Sequence, residues 1–147
     1  MQPTWILVAD GARARLFASG VADGALNELE DIANPDGRRT DPDGSRDRPP
    51  RVMESMGHMS HVIAPHTSPE EKVADRFASE LNDLLERGRV EHRYERLILV
   101  APPRFLGALQ NALGKHVRDC VVAHIDKDLT TLPAQKIQSR LASELSH

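Results

Sequence analysis

The sequence is poor in cysteine, in aromatic residues, in long apolar runs and in net positive charge, and each shortage removes a class of function. Cys120 is the one cysteine, which excludes an intramolecular disulfide and any zinc site built on several thiolates. It reads as a small buried hydrophobe, because no histidine partner can be placed against it as for a thiol nucleophile. Aromatic residues make up 3% of the chain, too few for a single-stranded nucleic-acid platform that stacks successive bases. Net charge is −3, so no global basic field attracts nucleic acid and only a local patch could. The apolar stretch near the start, Trp5 to Ala9, ends at Asp10 and is far too short for a signal core or a membrane span. A cytoplasmic protein without membrane contact is therefore expected. Glycine-rich phosphate loops of the P-loop or dinucleotide type are missing too, and no cofactor is expected.

What is present is an ordinary globular composition, 39% hydrophobic and 28% charged over 147 residues, which predicts one domain. Leu97 to Leu113 anchors the reading. Leu97 to Ala101 is a continuous apolar run of strand length, as in a strand covered on both faces. Pro102 and Pro103 stop it and suit a first helical turn, since proline has the right φ and the amide it lacks has no helical partner there. Phe105, Leu106, Leu109, Ala112 and Leu113 then form one helical stripe, with Gly114 placed to end it.

Trp5 to Ala9 makes a first strand, Asp10-Gly11 a tight turn, and Arg13 to Ala18 an alternating second strand with Arg13, Arg15 and Phe17 on one face. Ala25 to Ala33 fits a third strand carrying a bulge. Between 35 and 67 the chain turns to proline, glycine, arginine and aspartate, then to methionine and histidine, and reads as a mobile insertion. Ser68-Pro-Glu-Glu is a capping box opening a helix whose stripe includes Val73, Phe77, Leu81 and Leu85, with Gly88 as its expected end. Val121 to Ile125 gives a last strand parallel to Leu97 to Ala101, and Ile137, Leu141 and Leu145 mark a closing helix. The predicted class is α/β, in the order β-β-β-α-β-α-β-α, a mixed sheet with helices packed on it as in ribonuclease H-like folds. An exposed third strand at a sheet edge leaves room for a homodimer.

That order calls for a test of metal-dependent nuclease chemistry, which needs several carboxylates converging at strand ends. Asp10, Asp126 and Asp128 are the candidates, but the position after the anchoring strand is Pro102-Pro103. Asp10 is explained as a turn residue, and no metal site is expected. His58, His61 and His66 offer a general base near neutral pH for a hydrolase, although the segment lacks the further ligands a metal would need. Arg104 and Lys127 follow the two parallel strands beside helix starts, where anions bind in open α/β sheets. With Arg13 and Arg15 they make a candidate binding set.

The segments WILVADGARARLF, DRFASEL, RLILVAPPRFLGALQNAL and HIDKDLTTLP resemble the bacterial host attachment protein family, described as required for attachment to host cells. The resemblance covers the chain outside 35 to 67. That family is similar in turn to the middle domain of eukaryotic and archaeal class-1 peptide release factors, where a Gly-Gly-Gln loop before a long helix promotes hydrolysis of peptidyl-tRNA. The corresponding stretch here is Met56-Gly57-His58-Met59-Ser60-His61, without Gly-Gly-Gln. The resemblance therefore implies the fold and a ribosome or tRNA partner, and it transfers no catalytic residue. Three roles follow as expectations: a non-catalytic module that binds a ribosomal or RNA partner, a peptidyl-tRNA or related ester hydrolase using the histidine segment, and a protein acting in attachment to host cells.

Overall fold

In a computed structural model, residues 3–19, 25–39 and 69–145 are described. The elements are β1 (Thr4–Asp10), β2 (Arg13–Ser19), β3 (Leu26–Ala33), α1 (Pro35–Arg39), α2 (Pro69–Val90), β4 (Arg96–Val100), α3 (Pro103–Ala112), α4 (Lys115–Cys120), β5 (Val121–Ile125) and α5 (Ala134–Leu145). The strands form one sheet in the order β3-β2-β1-β4-β5. β2 runs antiparallel to both β1 and β3, while β4 lies parallel to both β1 and β5. This is the expected mixed α/β sheet. The bulge expected in β3 is there: Leu16 pairs with Glu30 and Phe17 with Glu28, so Leu29 is the extra residue.

Strand alternation divides the core in two. One face of the sheet, with Trp5, Leu7, Leu16, Leu97 and Leu99, packs against Phe77, Leu81 and Leu85 of α2, Phe105 and Leu109 of α3 and Val117 of α4. The opposite face, with Ile6, Val8, Phe17, Ile98 and Val100, packs against Ile137 and Leu141 of α5 and against Leu129. The apolar run of β4 is buried on both faces because both are covered.

Four local expectations are corrected. α2 does not stop at Gly88 but runs to Val90 and closes in a Schellman arrangement: Arg93 N–H donates to the Gly88 carbonyl and His92 N–H to that of Arg89, with His92 at φ 59°. Gly88 is instead needed for close approach, since a Cβ there would lie 2.5 Å from the Trp5 ring. Trp5 stacks on Tyr94 at 4.7 Å between centroids, and the Tyr94 hydroxyl donates to the Leu85 carbonyl at 2.8 Å. Burial pushes that phenol's pKa well above its ordinary value.

Gly114 is likewise no left-handed cap. Its φ is −70°, and it precedes a further short helix, α4, at whose end Cys120, expected as a buried hydrophobe, is half-buried. Finally, Pro35–Arg39, the start of the expected mobile insertion, is the helix α1. Asn34 ties it to the β1–β2 turn through hydrogen bonds to the carbonyls of Ala12 and Gly11, and a Cβ on Gly37 would strike the Gly11 carbonyl oxygen. Residues 40–68, including the Ser68 cap, lie outside the described residues.

Candidate functional site

Open α/β sheets bind ligands beyond the carboxyl ends of their parallel strands, and here those ends belong to β1, β4 and β5. At the end of β1, Asp10 closes the turn. Its Oδ1 accepts the N–H groups of Ala12 and Arg13, each at 2.8 Å. Its Oδ2 lies 3.1 Å from the Thr130 hydroxyl, which is also 2.8 Å from Asp128 Oδ1. One hydroxyl proton is thus shared between two carboxylates. Thr130 is 1% exposed, so this contact locks residues 126–133 onto the β1–β2 turn.

Arg15 is 7% exposed. Its Nε and Nη2 grip both carboxylate oxygens of Glu28 at 2.9 Å, and Nη1 donates to the carbonyls of Thr130 and Leu132 at 3.0 and 2.6 Å. The guanidinium carbon sits 5.1 Å from the Phe17 ring centroid, a cation–π contact. One buried cation therefore joins β2, β3 and the segment before α5. Arg13 makes the same bidentate grip on Asp31, at 2.9 and 2.8 Å, from a half-exposed position. That hydrogen bond holds the Asp31 carboxyl below the usual carboxylate range and raises the Arg13 guanidinium. Lys127 pairs with Glu144 of α5 at 3.3 Å.

Arg104 differs from the other three. It stands exposed in the first turn of α3, is in no ion pair among the described residues, and borders a groove of about 370 Å³ between α2 and α3. Ala74, Gly107 and Ala108 form its floor, and Glu71 and Asp75 stand on the α2 side. The four basic residues singled out from sequence thus form no common free patch. Arg13 and Arg15 come together on the β2–β3 acids, Lys127 is tied to α5, and Arg104 lines a separate groove.

His58, His61 and His66 lie outside the described residues, and the described geometry adds nothing to the hydrolase reading. Among the described residues no group of three or more His, Cys, Asp or Glu side chains is arranged to hold a metal ion, and no helix is long and apolar enough to cross a membrane. Asp126 does not join Asp10 and Asp128 on Thr130; it lines a groove beside α3 with His124 and Gln110. Sequence reasoning missed Thr130, Glu28 and Glu144 as partners. The acids of β3 were a signal for Glu28, since a strand paired with β2 must set some of them opposite Arg13 and Arg15.

Residues 5–141 match the family described as "Protein required for attachment to host cells". A search of the curated proteins gives no match. Among solved structures, one titled "Archaeal protein" superposes at a TM-score of 0.50 with 11% identity, over 97% of this chain and 34% of that one. The archaeal translation termination factor aRF1 follows at 0.45 with 10% identity, over 98% of this chain and 39% of that one. A Ppx/GppA phosphatase of Aquifex aeolicus reaches 0.37 with 14% identity, over 85% and 35%. The chain spans little more than a third of the length of these structures, and the likeness to the archaeal protein is one of fold.

Proposed function

The chain belongs to the family of proteins required for attachment to host cells, and from that premise we propose that it is a non-catalytic cytoplasmic module that binds a ribosomal or RNA partner through the exposed start of α3. The observation that carries the reading is the contrast between Arg104 and the other basic candidates. Arg13, Arg15 and Lys127 spend their charge on Asp31, Glu28 and Glu144, whereas Arg104 faces outward with no ion pair among the described residues. It sits at the carboxyl end of β4, in a helical first turn whose amides favour an anion. Glu71 and Asp75 across the groove limit how many phosphates can approach, so the contact is narrow. Attachment to host cells is then an indirect consequence of action inside the cell.

The reading makes a quantitative statement about salt. One engaged cation gives a slope of log affinity against log salt of roughly −0.7 to −0.9, while four free cations would give roughly −3 to −4. Co-sedimentation of the purified chain with ribosomal subunits across a salt series measures that slope. Saturable binding with the shallow slope is expected, and no saturable binding at low salt would remove the proposal.

A further inference from the structure

A second groove, of about 350 Å³, lies on the opposite face of the sheet at the amino ends of the parallel strands β1 and β4, under the last turns of α5. Register explains its chemistry. Thr4 pairs with Arg96 and Ile6 with Ile98, and residues two apart on a strand share a face, so Arg96 stands about 6.6 Å along the strand from Ile98 on the same side. Leu26 and Ser19, a β3–β2 pair, close one wall. From α5, Gln138, Leu141, Ala142 and Leu145 fall at helical spacing and form the other. α5 ends at Leu145, which remains 46% exposed, and so its apolar stripe runs past the core it covers.

Among the described residues the result is a largely apolar groove with Arg96 as the one cation at its rim. None of the described side chains lining it is acidic, and Arg96 is exposed with no ion pair among the described residues. Among the described residues a cationic ligand head finds no counter-charge on this lining, whereas a carboxylate finds the Arg96 guanidinium. We propose that this groove binds the alkyl chain of a free fatty acid, with its carboxylate against Arg96. The chain lies against Leu26, Ala142 and Leu145, above the buried Ile6 and Ile98, and the carboxylate takes charge-assisted hydrogen bonds from the guanidinium. This site is on the other face and at the other strand ends from Arg104, and it does not depend on the ribosomal reading.

The experiment is an NMR titration of the intact chain with decanoate, with octanoate, acetate and decylamine as comparison ligands. Decanoate should shift the amides of Arg96 and Leu145 saturably, octanoate should bind more weakly by roughly two- to fourfold per methylene removed, and acetate and decylamine should not saturate. Arg96→Gln, at an exposed position, should weaken decanoate about tenfold, the order expected for one charge-assisted hydrogen bond at a surface. Leu145→Asp should weaken it as well, while Lys136→Gln, an exposed charge on α5 outside the groove, should leave it unchanged. Equal binding of decylamine and decanoate, unchanged affinity in Arg96→Gln, a loss in Lys136→Gln as large as in Arg96→Gln, or no saturation by decanoate would each overturn the proposal.

Discussion

On one side of the sheet α2, α3 and α4 bury Phe77, Leu81, Leu109 and Val117 against Leu7, Leu16 and Leu99, in the larger of the two apolar clusters. On the other, α5 brings Ile137 and Leu141 to a smaller cluster, and next to it sit the buried Arg15 and Thr130. The two sides teach different lessons about the same strands. Apolar burial is strong but indifferent to direction, so it stabilises the α2 side without singling out one position for an edge strand. Arg15 can satisfy Glu28 and two carbonyls only where β3 and residues 126–133 both sit at one distance, and it therefore fixes the position of two segments with little apolar surface of their own.

Substitutions on each side sharpen that contrast. The largest loss is expected for Phe77→Ala, which removes a fully buried ring from the larger cluster and should cost about 3–5 kcal/mol in urea unfolding. Leu141→Ala, beside the open groove under α5, should fall near the low end for such changes, about 2–3 kcal/mol, because water can enter the space it leaves. If the two losses are equal, the difference in packing between the faces is not the one described.

Arg15→Ala should cost about 2–3 kcal/mol, below the full penalty for a broken buried pair because the Glu28 side chain is 32% exposed. Adding Glu28→Gln to it should cost less than the sum of the two single changes, since the first has already removed the partner. Additive losses would mean that the pair is not coupled. A smaller effect is expected at Asp31. Its folded-state pKa is depressed by Arg13, so it contributes stability above the unfolded-state value, near 3.9, and that contribution is lost as pH falls through the folded-state value. Asp31→Asn should flatten the acid limb of the stability profile by less than about 1 kcal/mol, because the pair is half exposed and screened.

Much of the sheet was legible in the sequence because its signals are local. The apolar runs of β1 and β4, the Asp10-Gly11 turn and the acid-rich β3 with its bulge each follow from neighbours a few residues apart. The misreadings come where a distant residue decides. Gly88 looks like a helix end until the Trp5 ring beside it shows why no larger residue fits. Gly114 looks like the end of α3, yet its extended backbone leads into α4 and its N–H donates to Asn82 of α2. The separate positions of the four basic candidates were hidden for the same reason. Arg15 meets Thr130 across 115 positions and Lys127 meets Glu144 across the turn into α5, and periodicity carries no information about either contact.

The proposed division of roles gives Arg13 and Arg15 to the fold and Arg104 to a ribosomal or RNA partner. The most direct measurement is ribosome co-sedimentation of Arg104→Ala at one low salt concentration, with its urea midpoint recorded on the same preparation. The account predicts an affinity lower by about tenfold, the worth of one charge-assisted contact, at an unchanged midpoint. Wild-type affinity in Arg104→Ala, or a loss that appears only together with a lowered midpoint, would contradict it.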